Sequence, residues 1–126
     1  MGTKLDDVKK ALRKKYDFFE QCNKNHDAEG LLKGFYTEGA FFGGTNVPLT
    51  VGREAIGPLL GGMMEALADV RVEELETRLS PSEDIAYDLA LVHVKLTDGT
   101  ELVHRSCCIW RLTEDGWYVD GDWFTS

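Results

Sequence analysis

Two histidines, one aspartate and one tyrosine are the side chains of this sequence best suited to proton transfer. His93 and His104 lie in segments that we expect to pair as strands, Asp122 lies near the end of the chain, and Tyr16 lies in an N-terminal helical pattern. Histidine titrates near neutral pH, and a carboxyl group inside a pocket can act as a general acid or base. We therefore take His93, His104, Asp122 and Tyr16 as candidate catalytic residues. Ligand contact without chemistry, or simple packing, is the alternative for each of them.

The register of two predicted hairpins decides which of these side chains share a face. Asp98-Gly99 separates two runs rich in β-branched and apolar residues, and Glu114-Asp115-Gly116 separates the second run from a third. Both patterns are typical of tight turns between antiparallel strands. If Asp98-Gly99 is a two-residue turn, His93 lies opposite His104 on the same face.

This register predicts one aromatic, nearly uncharged sheet face, because side chains alternate between the two faces of a strand. The helices that cover this face would add two more aromatic side chains. On the same register Asp122 points to the opposite, outer face, unless a bulge in the last strand turns it inward. Ordinary core packing is the alternative to a pocket. The predicted ligand-binding residues are Tyr16, Phe19, Tyr87, His93, His104, Cys108, Trp110 and Trp123.

A metal site and a thiol–imidazole pair both fit this register poorly. Cys108 lies four strand residues beyond His104, a distance of about 13 Å along a strand. Zinc needs its ligands within about 2.3 Å of one point. We expect no metal ion and no cofactor.

The elements that must position these residues are read from hydrophobic periodicity. An apolar stripe predicts a first helix from Thr3, its predicted N-cap, to about Asn25, and Asp27 can cap a second helix over residues 28–36. Short strands are predicted at 39–44 and 47–51, a third helix at 52–67, a strand at 69–80 and three long strands within 84–126. Gly57, Gly61 and Gly62 in the third helix indicate either close packing or a loosely held helix. The predicted fold class is α+β, with a curved antiparallel sheet and three helices on its concave face that form a cone with an internal pocket.

Length and composition limit the classes of function. The 126 residues predict one domain, residues 1–126, and the net charge of −8 argues against a nucleic-acid partner. No run approaches the roughly 20 apolar residues of a membrane span. The three cysteines are an odd number, and the adjacent Cys107 and Cys108 point to opposite faces of a strand. We therefore expect reduced thiols, no secretion signal and a cytoplasmic protein.

Three segments in this order resemble the SnoaL-like, or nuclear transport factor 2-like, superfamily, whose members include the ketosteroid isomerases. The segments are NHDAEGLLKGFYTEGAFF, VGREAI and RLTEDGWYVDGDWF. The resemblance implies a cystatin-like, cone-shaped α+β barrel with a mostly apolar pocket, and commonly a homodimer through the outer face of the sheet. It implies no single activity, because isomerases, hydrolases, cyclases, binding proteins and association domains share this fold.

The ketosteroid isomerase chemistry does not carry over to the matching positions. The catalytic tyrosine of that branch would fall at or near Phe19, one turn after Tyr16. Its aspartate base would fall near Gly44, and its protonated aspartate near Cys108. Neither of these two positions holds a carboxyl group.

Three functions therefore remain open from the sequence. The first is a homodimeric binding protein for a small apolar or carboxylate-bearing molecule. The second is an isomerase- or hydrolase-type enzyme that uses a pocket histidine or aspartate. The third is an association domain without chemistry.

Overall fold

The computed structural model describes residues 4–126, and its helices and strands follow the predicted order. Thr3, the predicted N-cap, lies outside the described residues. Asp27 caps the second helix as predicted, because its side chain accepts a hydrogen bond from the backbone N–H of Gly30. The elements are α1 (Lys4–Lys24), α2 (Ala28–Phe35), β1 (Tyr36–Gly44), β2 (Val47–Val51), α3 (Arg53–Glu65), β3 (Leu67–Leu79), β4 (Ile85–Leu96), β5 (Glu101–Thr113) and β6 (Gly116–Thr125).

The six strands form one curved, unclosed sheet in the order β2-β1-β6-β5-β4-β3, and the three helices pack on one side of it. Neighbouring strands are antiparallel except for β1 and β6, which run parallel. The fold class and the helical layer are therefore confirmed, and the sheet is mixed rather than wholly antiparallel. β1 lies between β2, its antiparallel sequence neighbour, and the last strand, β6, to which it runs parallel.

Helix α1 packs along β3 through an apolar stripe and one arginine. Val8, Leu12 and Tyr16 recur every four residues on one helix face, and all three are buried. Arg13 Nη1 donates hydrogen bonds to the carbonyl oxygen of Val72 at 2.9 Å and to Glu74 at 3.2 Å. These contacts fix α1 across the concave side of the sheet, where its inner face becomes a wall of the interior.

The turn between β4 and β5 differs from the prediction by one residue. The backbone N–H of Leu96 donates to the carbonyl of Thr100, so the loop holds three residues and ends at Gly99 with φ 91°. The N–H of Thr97 instead donates to Ala66 at the end of α3. This tertiary contact takes Thr97 out of the predicted pair with Thr100.

The shifted turn reverses the two faces of β4 relative to β5, because a slip of one residue moves every side chain of the strand to the opposite face of the sheet. His93 pairs with Val103, and Val92 pairs with His104. The predicted inner positions of β4, with Tyr87 and His93 among them, lie on the outer face. The inner positions of β4 are Ala86, Asp88, Ala90, Val92 and Val94.

A bulge in β6 decides where Asp122 points. Ile109 pairs with Gly121 while the next residue, Trp110, pairs with Val119, which leaves one extra residue on β6. Beyond this point Asp122 faces inward. Gly121 suits the bulge because a Cβ atom there would lie 2.2 Å from the ring of Phe41.

The glycines of α3 fall into two kinds. A Cβ atom on Gly57 would lie 3.1 Å from Leu32, whereas one on Gly61 or Gly62 would meet nothing within 4 Å. Close packing therefore accounts only for the first position. The second half of α3 is a weak helix whose glycines no neighbour requires.

Two further findings concern the described residues alone. None of the helices within residues 4–126 is long and apolar enough to cross a membrane. Cys22, Cys107 and Cys108 are free thiols.

Candidate functional site

A cavity of about 250 Å³ lies between the helices and the concave side of the sheet. All three helices and every strand except β2 contribute to its wall, which is mainly aliphatic and aromatic. Among the described residues that line it, none is a lysine or an arginine. Such a cavity suits a small apolar molecule.

One group of polar side chains interrupts the apolar wall. Asp122 is buried and accepts hydrogen bonds from the hydroxyl of Tyr36 at 3.0 Å and from the hydroxyl of Ser106 at 3.2 Å. The Ser106 hydroxyl also lies 3.7 Å from the Cys108 thiol. We call Tyr36, Ser106, Cys108 and Asp122 the Asp122 cluster. It gives the cavity one polar end.

Burial sets the protonation behaviour of this cluster. It raises the pKa of Asp122 above its usual value, although the hydrogen bonds from Tyr36 and Ser106 act in the opposite direction. It also raises the pKa values of Tyr36 and Cys108 well above their usual range. Cys108 is therefore a protonated thiol rather than a nucleophile. Asp122 is the carboxyl group of the cluster, and its raised pKa keeps it protonated to a higher pH than an exposed aspartate.

A second buried carboxyl group lies behind the cavity wall. The Tyr16 hydroxyl donates to Asp88, with 2.9 Å to each carboxyl oxygen. Burial raises the pKa of Asp88 to about 7, and the hydrogen bond from Tyr16 opposes this rise. Tyr16 itself lines the cavity, whereas Asp88 lies beyond it, between Tyr16 and the sheet.

His104 forms another part of the cavity wall, on β5. Its ring packs edge-on against Phe124 with 5.7 Å between the ring centres. Burial lowers the pKa of His104, so the imidazole is neutral at physiological pH. Its Nδ1 atom is shielded from solvent and has no hydrogen-bond partner among the described residues.

The structure brings some of the predicted site residues together. Tyr16, Phe19, His104 and Cys108 line the cavity, and Asp122 joins them through the bulge. Trp110 is fully buried under Tyr16, with 5.4 Å between the ring centres, and belongs to the core.

Three predicted site residues lie elsewhere. Tyr87 and Trp123 are 48% and 43% exposed on the outer face of the sheet. His93 also lies there, and its Nε2 atom is 3.0 Å from a carboxyl oxygen of Glu73. The one-residue shift of the β4–β5 turn explains why Tyr87 and His93 lie on the outer face, and the β6 bulge explains why Trp123 does. The predicted pairing of His93 with His104 is wrong for the same reason.

Three residues near the cavity were not singled out from the sequence. Ser106 was placed on the inner face, but nothing marked it as a partner of Asp122. Tyr36 lies where α2 passes into β1, and Arg53 holds this junction by donating two hydrogen bonds to the Tyr36 carbonyl oxygen. In the predicted register Asp88 falls on the outer face, because it is next to Tyr87, and the shift of the β4–β5 turn brings it inward. An aspartate among alanines and valines of one strand is the signal that could have drawn attention to it.

No group of three or more His, Cys, Asp or Glu side chains within residues 4–126 could hold a metal ion.

The comparisons with known proteins show the fold. No protein-family model and no curated protein matches the chain. A domain of unknown function with a cystatin-like fold from Nostoc punctiforme is 18% identical, with a TM-score of 0.78 over 93% of this chain and 75% of that one. A ketosteroid isomerase-like protein from Erwinia carotovora atroseptica is 14% identical, with a TM-score of 0.77 over 99% of this chain and 97% of that one. A nuclear transport factor 2-like protein with a cystatin-like fold from Novosphingobium aromaticivorans is 19% identical, with a TM-score of 0.75 over 93% and 80%. The chain thus has the nuclear transport factor 2-like, cystatin-like fold expected from its sequence.

Proposed function

We propose that this chain, with its nuclear transport factor 2-like fold, binds a small, neutral, mainly apolar molecule in the cavity. The observation that carries the proposal is the cavity of about 250 Å³ with an apolar wall and one buried polar cluster. The apolar wall supplies the driving force, and the Asp122 cluster orients a hydroxyl or carbonyl group of the ligand.

The charge of the cavity wall favours one of the two ligand classes that the sequence left open. A carboxylate-bearing ligand would meet the Asp122 carboxyl group, and none of the described residues that line the wall is a lysine or arginine that could offset its charge. Burying an anion without a cation is strongly unfavourable. A neutral ligand can instead exchange hydrogen bonds with Asp122 in either of its protonation states.

Calorimetric titration with a matched pair of probes tests this proposal. We expect 2-naphthol to bind at least about tenfold more tightly than 2-naphthoate near neutral pH. Asp122→Asn should weaken 2-naphthol binding, whereas Asp120→Asn should leave it unchanged. Asp120 is a suitable control because it lies two residues away and pairs with Arg111 at 2.9 Å on the outer face. Failure of the wild-type protein to bind 2-naphthol, or tighter binding of 2-naphthoate, would overturn the proposal.

A second candidate function, acid–base catalysis, is favoured by the inward position of Asp122. A carboxylate whose pKa is raised is a stronger base than an exposed one, which suits it to take a proton from carbon. With a ketone in the cavity, Asp122 would remove a proton from the carbon beside the carbonyl, and the electron pair would move onto the carbonyl oxygen to give an enolate. The fold similarity to a ketosteroid isomerase-like protein agrees with such a step.

Hydrogen–deuterium exchange of 2-tetralone in D₂O, followed by NMR, tests the catalytic candidate. If Asp122 is catalytic, the protons beside the carbonyl of 2-tetralone should exchange faster with the wild-type protein or Asp120→Asn than in buffer alone. Asp122→Asn should fall to the buffer rate. A wild-type rate equal to that of buffer would remove proton abstraction from a ketone as the function.

We also propose a homodimer through the outer face of the sheet. Exposed apolar side chains there form a continuous patch, since Tyr87 pairs with Ile109, and Cys107 pairs with both Leu89 and Trp123. Patches of this kind mark interaction sites. Light scattering should give twice the monomer mass for the wild-type protein and the monomer mass for Leu89→Arg. A monomeric wild-type protein at micromolar concentration would contradict this.

A further inference from the structure

We infer that the ligand enters the cavity between the second half of α3 and the hairpin that joins β4 to β5, and that residues 59–65 of α3 are a gate that unwinds to admit it. This inference rests on the proposed small-molecule binding and adds its route of entry. The gate would then set how fast a ligand enters and leaves, and not how tightly the cavity holds it.

The exposed part of the cavity wall locates the entrance. Of the described residues that line the cavity, Met63 of α3 and Leu102 of β5 are the most exposed, at 42% and 39%. Leu102 pairs with Val94 near the tip of the hairpin, and Ala66 at the end of α3 accepts a hydrogen bond from the N–H of Thr97 in its turn. The end of α3 therefore meets the hairpin tip where the cavity reaches the surface.

A proline divides α3 near its midpoint. Pro58 has no backbone N–H, so the carbonyl oxygen of Glu54 lacks the partner that a regular helix would give it. The first half of the helix is firmly packed, because Ile56 is fully buried and a Cβ atom on Gly57 would lie 3.1 Å from Leu32. The second half can therefore unwind while the first half stays in place.

The second half of α3 is a weak helix. Gly61 and Gly62 are poor helix formers, and a Cβ atom on either would meet nothing within 4 Å. Glu65 places a negative charge in the last turn, where the helix dipole favours a positive one, and no basic residue of that turn offsets it. The Thr97–Ala66 hydrogen bond of 2.9 Å ties the end of the gate to the hairpin.

Two buried side chains return the gate to its closed position. Leu60 and Met64 are both buried, so unwinding exposes apolar surface and the closed helix predominates. The proline and the glycines lower the cost of that unwinding, and segments of low local stability open as fluctuations of the folded protein. The glycines that no neighbour requires thus have a role in ligand entry.

Stopped-flow mixing with 2-naphthol, followed by its fluorescence, tests the gate. Gly61→Ala and Gly62→Ala, combined in one variant, favour the closed helix. They should lower the association and dissociation rate constants together, by roughly tenfold, and leave the dissociation constant unchanged within about twofold. Neither glycine lines the cavity, so an equal change in both rate constants identifies a barrier to entry.

The matched control is Gly39→Ala in β1. A Cβ atom on Gly39 would also meet nothing within 4 Å, and the residue lies outside α3. This variant should keep both rate constants of the wild-type protein.

Hydrogen exchange of the wild-type protein measures the opening without a ligand or a variant. By NMR, the amides of Met63 and Met64 should exchange at least about tenfold faster than those of Leu12 and Tyr16 in α1. Equal protection of the two helices overturns the gate and leaves the proposed function standing. Unchanged rate constants in the double variant, or a changed dissociation constant at an unchanged association rate, do the same. No binding of 2-naphthol overturns both.

Discussion

The hydroxyl of Tyr16 lies 2.9 Å from each carboxyl oxygen of Asp88, in a part of the core that is closed to solvent. The hydrogen bond from Tyr16 does not offset the cost of burying a charge. The pKa of Asp88 is therefore raised to about 7. Asp88 is a buried carboxyl group that gains and loses its proton near physiological pH.

This pairing predicts a pH-dependent stability. An aspartate in an unfolded chain titrates near pH 3.9, so between about pH 4 and pH 7 the folded chain keeps a proton that the unfolded chain has lost. The stabilisation from protonated Asp88 is complete below this window and is lost as the pH rises through it. Urea unfolding between about pH 5 and pH 8 should show the free energy of unfolding falling with pH in the wild-type protein and falling less steeply in Asp88→Asn. Equal slopes in the two proteins would contradict the assignment to Asp88.

Two substitutions in helix α3 should stabilise the protein. Gly61→Ala and Gly62→Ala should each raise the free energy of unfolding by up to about 1 kcal/mol, because alanine is the better helix former and its Cβ atom would meet nothing within 4 Å. Gly121→Ala is the contrasting variant, since its Cβ atom would lie 2.2 Å from the Phe41 ring, and it should destabilise. Chemical unfolding measures all three. Destabilisation by the two helix variants would show that α3 needs its glycines.

Arg13 should matter more to stability than other basic residues of α1. It donates to the Val72 carbonyl oxygen and forms ion pairs with Glu20 at 2.9 Å and with Glu74 at 3.2 Å. Arg13→Ala should lower the free energy of unfolding by about 1–2 kcal/mol, mainly through the lost hydrogen bonds. Lys10→Ala, on the exposed side of the same helix, should change it by less than about 0.5 kcal/mol. Equal effects of the two variants would show that the Arg13 contacts contribute nothing measurable.

The order of the elements was predictable because helical stripes and strand alternation are local properties. The inner face of β5, with His104, Ser106 and Cys108, was also correct, since it depends only on alternation within one strand. The predicted inner face of β4 was wrong because the turn length depends on the contact between Thr97 and Ala66. Residues 31 positions apart in sequence form this contact, and no local pattern reveals it.

In the last strand, too, the local sequence pattern does not reveal which face each side chain takes. Trp117 and Val119 face inward, and beyond the bulge the faces exchange, so that Asp122 is buried and Trp123 exposed. From the sequence, Asp122 was expected on the outer face unless a bulge in the last strand turned it inward. Glycine at position 121 leaves room for the Phe41 ring beside that bulge.

An NMR titration of the isotope-labelled protein with 2-naphthol tests the central claim most directly. If the cavity is the binding site, the perturbed resonances should cluster at residues of its wall, above all Tyr36, His104, Ser106 and Asp122. Those of Tyr87 and His93 on the outer face should stay unchanged. No shifts at saturating 2-naphthol, or shifts confined to the outer face of the sheet, would contradict binding in the cavity.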